Sequence, residues 1–168
     1  VNTPFTFYTK TEGLNKSDNF GILEDDLGRI WVANNEEGIF IKDGSQTYNL
    51  TIKDGLPGNS VRLLKKDDKG NVWVGTNDGL CLISNDLKIQ NIPQFKGITI
   101  KSILISREGK VYIGTLSHGV WLKTGQKYSR LFTQDVKSAY SLCIDANNNI
   151  VIGTNNGCYM KVNGDYVR

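Results

Sequence analysis

The chain has 168 residues, 39% of them apolar and 10% aromatic, enough for one buried core without a disulfide scaffold. Its 20 basic and 17 acidic residues leave a net charge of +3 and are interspersed, as in Lys65-Lys66-Asp67-Asp68, which indicates a solvated mixed surface and no nucleic-acid patch. The longest apolar runs, such as Ile103-Leu104-Ile105, are strand-length and unsuited to spanning a membrane, and the opening VNTPFTFY has no signal-peptide pattern and reads like the interior of something longer.

The first predicted element is a short strand at 5–8. Beyond it the sequence repeats itself. Gly28-Arg29-Ile30-Trp31-Val32-Ala33-Asn34 returns as Gly70-Asn71-Val72-Trp73-Val74-Gly75-Thr76, as Gly109-Lys110-Val111-Tyr112-Ile113-Gly114-Thr115 and as Asn148-Asn149-Ile150-Val151-Ile152-Gly153-Thr154. Trp31 to Trp73 is 42 residues, and Trp73 to Tyr112 and Tyr112 to Val151 are 39 each. A period near 40 suits a propeller blade or a helical repeat. No window holds an apolar 3.6-residue stripe, whereas short β-branched and aromatic runs alternate with Gly, Asn and Asp, so strands are predicted throughout.

Each unit yields four strands. In the second unit, Val61 and Leu64 precede Asp67, a turn at Asp68-Lys69-Gly70 leads into the Trp73 strand, and a turn ending on Gly79 opens a third. The third-strand turn ends on Gly38, Gly119 and Gly157 in the other units. Amphipathic fourth strands follow at 47–50, 88–92, 127–132 and 165–168. The expectation is an all-β chain, a single β-propeller segment over 1–168 of about four four-stranded antiparallel blades at 18–50, 59–92, 98–132 and 137–168. The strand at 5–8 is then a surplus outer strand belonging to a preceding blade. It implies a piece of a larger array, an open arc whose bare faces meet neighbouring blades or another copy.

The substitutions among copies carry physical content. Gly28, Gly70 and Gly109 are replaced by Asn148, the residue next most tolerant of positive φ, so the turn geometry is what recurs. Ala33, Gly75, Gly114 and Gly153 are all small, as where a neighbour packs close to the strand. The repeated Trp suits either a sugar platform or packing between blades, and its replacement by Tyr112 and Val151 favours packing. Cys81, Cys143 and Cys158 have no CxxC spacing and lie in apolar segments, which predicts small buried hydrophobes.

The catalytic inventory is thin. The one histidine, His118, falls in a turn, and no HExxH, GxSxG or P-loop pattern is present. Asp145-Ala146-Asn147-Asn148-Asn149 begins like a calcium loop, but Ile150 stands where the turn glycine belongs and no Glu follows at the twelfth position, which favours a hairpin. Adjacent Glu36 and Glu37 read as solvated turn acids more than as a glycosidase pair. No metal or cofactor is expected. In a propeller the connections from fourth to first strand and from second to third strand share one end, where ring-shaped folds hold ligands. This places Asn34, Asn35, Glu36, Glu37, Asn59, Asn77, Asp78, Ser117, His118, Asn155 and Asn156 as candidate ligand contacts, a set suited to sugar hydroxyls.

Residues 61–80, VRLLKKDDKGNVWVGTNDGL, resemble the two-component regulator propeller repeat, roughly VxxIxxDxxGxIWIGTxxGL, at nearly every defined position. The linking phrase DGLxxNxV appears at 54–61 as DGLPGNSV. The third copy has Ser106 in place of the acid, and the fourth lacks the Trp and the final Leu. This resemblance implies the periplasmic sensor region of a bacterial hybrid two-component system, in which propellers of about seven blades precede a membrane helix and a kinase. It further implies recognition of oligosaccharides released from polysaccharides, by a non-enzymatic module. The alternatives are a propeller-fold lyase or glycosidase, since virginiamycin-inactivating lyases carry similar repeats, and a protein-interaction scaffold. The lone His118 weighs against the lyase, and the missing Gly-His and Trp-Asp dipeptides weigh against a WD-repeat scaffold.

Overall fold

Each repeat closes on itself as a four-stranded antiparallel meander in sequence order. The structure is a computed structural model describing residues 8, 9, 11, 13, 14, 18–131, 136–162 and 165–167. The first sheet is β1 (Asn19–Glu24), β2 (Ile30–Asn34), β3 (Gly38–Asp43) and β4 (Gln46–Leu50). The second is β5 (Val61–Lys66), β6 (Val72–Thr76), β7 (Leu80–Ile83) and β8 (Ile89–Asn91). The third is β9 (Ile100–Ile105), β10 (Val111–Thr115), β11 (Val120–Thr124) and β12 (Lys127–Arg130), and the fourth is β13 (Ser141–Ile144), β14 (Ile150–Thr154), β15 (Gly157–Val162) and β16 (Asp165–Val167). Of the expected strand at 5–8, only Tyr8 is among the described residues, and it is not in a strand.

The first strands β1, β5, β9 and β13 lie beside one another from sheet to sheet, so they form the inner wall and β4, β8, β12 and β16 the outer rim. This is a propeller arrangement of four blades. The hairpin turns between first and second strands carry positive φ at Gly28 (76°), Gly70 (78°), Gly109 (74°) and Asn148 (65°), so the left-handed residue recurs where the sequence repeats it.

Packing between blades accounts for the apolar strands. Trp31, Ala33, Ile39 and Ile41 of the first blade meet Val61, Val72, Val74, Cys81 and Ile83 of the second in one buried cluster. Trp73 likewise packs with Ile100, Val111 and Ile113 of the third blade, and there Phe95 sets its ring edge-on to Trp121 and Tyr128, with centroids 5.4 and 5.6 Å away. Trp31 and Trp73 are 0% and 2% exposed, which is the interblade role and not an open sugar platform. The small residue after the Trp strand's centre follows from the same contact. A Cβ on Gly75 would stand 2.8 Å from Ile100 Cγ2 of the next blade, and one on Gly114 would stand 2.6 Å from the Ala139 carbonyl oxygen.

One expectation needs correcting. Cys81 is buried, but Cys143 and Cys158 are exposed. Cys143 pairs with Val151 and Cys158 with Gly153, on the face that in earlier blades meets the next blade; no further blade covers it among the described residues. The opposite open face, on the first blade, exposes Ile22 to 75%.

Candidate ligand-binding rim

The turns between second and third strands are built by the last side chain of the second strand. Asn34 Oδ1 accepts the N–H groups of Glu36 and Glu37 at 3.1 and 3.0 Å. Thr76, Thr115 and Thr154 hold the corresponding N–H of Asp78, His118 and Asn156 through Oγ1 at 3.0, 2.9 and 3.1 Å. Short polar side chains bonding the backbone two or three residues on define such turns. Asn34 is 2% exposed and also donates from Nδ2 to Asn19 Oδ1 at 3.2 Å, so it shapes the turn and has no surface to offer a ligand.

The first three turns are each tied to the blade that follows. Ser60 Oγ donates to Asn35 Oδ1 (2.9 Å), Thr99 Oγ1 donates to the Asn77 carbonyl (2.8 Å), and Ser138 Oγ donates to the Leu116 carbonyl. These three hydroxyls precede the first strands of blades two, three and four at intervals of 39, and that spacing was the signal that motif reading passed over. Asn77 Nδ2 in turn donates to Ser60 Oγ at 2.9 Å, so Asn35, Ser60 and Asn77 form one continuous chain across two blades.

The other expected residues are placed as follows. Asn59 is half-buried and structural, its Oδ1 receiving the Ile52 N–H at 2.9 Å and its carbonyl the Gly38 N–H at 2.9 Å. Glu36, Glu37, Asp78, Ser117, His118, Asn155 and Asn156 are exposed at the tips of the four turns. Thus Asn35 and Asn77 are brought together, Asp78 stands beside them, and Ser117 with His118 and Asn155 with Asn156 occupy the third and fourth turns separately.

Asp78 opens onto a groove of about 360 Å3 that sequence reading did not assemble. Pro57 and Pro93, from the two connections flanking the second blade, give it apolar walls, and Asn91 and Lys96 add polar groups. Asn91 spends its Nδ2 on the Gly55 carbonyl at 2.9 Å, leaving its side-chain oxygen as an acceptor. An acid, an amide oxygen and an ammonium around apolar faces can hydrogen-bond hydroxyls and cover the C–H face of a small polar ligand.

At the same end, the first strands of three blades are bulged. Pairing skips Phe20 between Asn19 and Gly21, Arg62 between Val61 and Leu63, and Lys101 between Ile100 and Ser102. Bulges turn a side chain out of the ladder. The Arg62 guanidinium lies over the Phe20 ring at 4.8 Å, and the Lys101 ammonium faces the Tyr140 ring at 5.8 Å. Arg62 is also held by Nε donating to Asn77 Oδ1 at 2.8 Å.

The most buried charge lies in the opposite hairpins. Asp25 accepts from Arg29 Nε (2.6 Å), Trp31 Nε1 (2.8 Å) and the Arg29 and Leu27 N–H groups. Burial pushes its carboxyl up, but these donors together hold it below its ordinary value. It serves the turn and is remote from the rim. Among the described residues no three His, Cys, Asp or Glu side chains gather to hold a metal.

Comparison with known proteins places this geometry. Residues 55–78 match the family model of the two component regulator propeller. No curated protein matches the chain. Among solved structures it is similar to the extracellular domain of BT3049 from B. thetaiotaomicron, described as a hybrid two component system, with TM-score 0.73 and 25% identity over 85% of this chain and 20% of that one. The extracellular domain of BT4673 from the same organism, described likewise, gives TM-score 0.77 and 21% identity over 90% of this chain and 22% of that one. Virginiamycin B lyase from Staphylococcus aureus shares the fold, with TM-score 0.71 and 16% identity over 90% of this chain and 55% of that one. The chain thus spans about a fifth of the length of the two extracellular domains it resembles.

Proposed function

We propose that this chain of two component regulator propeller repeats is a non-enzymatic, ligand-recognising part of the sensor region of a hybrid two-component system, acting in the periplasm on an oligosaccharide. The likeness to extracellular domains described as hybrid two component systems supports the sensor role. The observation that carries ligand recognition is the groove beside Asp78, walled by Pro57 and Pro93 and edged by Asn91 and Lys96, at the end where the exposed turn residues gather. Asp78 accepts from vicinal hydroxyls, Lys96 and the Asn91 oxygen fix the orientation, and the proline rings cover the sugar's apolar face. Catalysis is not part of this reading, because the exposed turns contain a single histidine and no nucleophile with a bonded base.

Isothermal titration calorimetry of the chain against a panel of plant- and host-derived oligosaccharides tests this reading. Saturable heat with at least one glycan, lost in Asp78→Ala, is the expected result; no heat with any of them, or consumption of the glycan on incubation, overturns it.

A further inference from the structure

The three residues turned out by the bulges, and Tyr140 just before β13, occupy one position of the repeat. Phe20 to Arg62 is 42 residues, and Arg62 to Lys101 and Lys101 to Tyr140 are 39 each, the same steps that separate the Trp positions. They therefore stand at the same level of four adjacent blades, on the first strands of three and immediately before that of the fourth, ordered aromatic, cation, cation, aromatic. Phe20 is 45% exposed and Tyr140 44%, although both are large and apolar-faced. Among the described residues neither cation has a carboxylate partner: the Lys101 ammonium faces the Tyr140 ring, and Arg62 uses Nε on Asn77 and faces Phe20 with its guanidinium carbon.

A packing role does not explain this row. The interblade clusters are built from other positions, and Phe20 and Tyr140 are outside them. Two cations without a carboxylate among the described residues, each set against one side of a ring whose remainder is exposed, form a strip that binds anions along its middle and stacks apolar faces at its ends. A neutral sugar would offer neither cation an opposite charge, whereas acidic units on adjacent blades would meet Arg62 and Lys101 while flanking rings lie on Phe20 and Tyr140. Asp18, exposed next to the Phe20 end, adds a local negative charge that confines the anion to the centre of the row.

We infer that Phe20, Arg62, Lys101 and Tyr140 form a binding strip for an acidic oligosaccharide, one bearing carboxylate or sulfate groups. This rests on the ligand-recognition reading and narrows its ligand class. The test is calorimetry of the chain with three tetrasaccharides: tetragalacturonate, a heparin-derived sulfated tetrasaccharide and neutral maltotetraose, each at low and high salt. The expected result is binding of a charged tetrasaccharide at least tenfold tighter than maltotetraose and weakened by salt. The two charged arms distinguish carboxylate from sulfate. Lys101→Met, which keeps the stem and whose fold is checked by circular dichroism, is expected to weaken that binding about tenfold, as is Tyr140→Ala. Maltotetraose binding as tightly as the charged ligands, or Lys101→Met binding like wild type, overturns the strip while leaving ligand recognition standing. No heat in any arm overturns both.

Discussion

Trp31 donates its indole N–H to Asp25 Oδ2 at 2.8 Å, and Trp73 repeats the bond to Asp67 Oδ2 at 3.2 Å. The acid and the Trp of each complete repeat are thus one device: the carboxylate closes the hairpin turn and anchors the indole that the next blade packs against. In the third repeat both change together, with Ser106 Oγ accepting the Lys110 N–H at 3.1 Å and Tyr112 in place of Trp. In the fourth, Asp145 keeps the turn, accepting the Asn147 and Asn149 N–H groups, without an indole to hold.

Asp25 is also the partner that offsets buried Arg29, which it meets through Nε, while the buried Arg29 Nη2 has no hydrogen-bond partner among the described residues. Asp25→Asn is therefore expected to destabilise the fold by about 3 kcal/mol, by leaving a buried guanidinium uncompensated. Because the folded carboxyl lies below its unfolded value of 3.8, its contribution is fully present above that value and is lost as pH falls through the lower folded one. Urea denaturation from pH 7 to 2 checks this: wild type is expected to lose stability below about pH 4, and Asp25→Asn to show a shallower acid limb.

Gly114→Ala is expected to cost about 1–3 kcal/mol through overpacking, since its Cβ would fall 2.1 Å from Ser102 Oγ and 2.6 Å from the Ala139 carbonyl oxygen. The serine can rotate, but the carbonyl belongs to the backbone of the next blade. Thermal unfolding followed by circular dichroism measures the loss, and a variant as stable as wild type would contradict close interblade packing.

Removing one hydroxyl of the tie between turn and blade gives a smaller effect. Thr99→Val keeps the shape and deletes the bond to the Asn77 carbonyl, with an expected loss of about 1 kcal/mol. Hydrogen exchange is expected to rise at Leu116, whose N–H is held by the Thr99 carbonyl at 3.0 Å, before it rises in the strands.

The cysteines are expected to separate by burial. Under native conditions a thiol reagent should modify Cys143 and Cys158, and Cys81 only on unfolding, because burial pushes its thiol up to about 12. Mass spectrometry of the labelled peptides reads this directly.

The repeat made the architecture legible because turn chemistry and strand pattern recur at nearly fixed spacing. Even the substitution of Gly by Asn148 announced a left-handed residue, and it has φ of 65°. The exposure of Cys143 and Cys158 was not legible, since local apolar context cannot tell a covered blade face from an open one. The candidate site was half legible. Turn tips such as Asp78 and His118 follow from the meander, but Asn34 looks like its exposed neighbours in sequence and is committed to its own turn. The groove was hidden because Pro57, Asp78 and Lys96 come from three segments that only the blade stacking brings together.

The central claim is that the chain recognises a ligand at the end bearing the second-to-third strand turns. Chemical-shift mapping of the isotope-labelled chain, titrated with the oligosaccharide that gives the largest heat, tests it most directly. The account predicts perturbations concentrated at Arg62, Asn77, Asp78, Asn91, Lys96 and Lys101, with Leu27, Lys69 and Arg107 in the opposite hairpins unmoved. Perturbations centred on those opposite hairpins, or spread evenly over the chain, would contradict it.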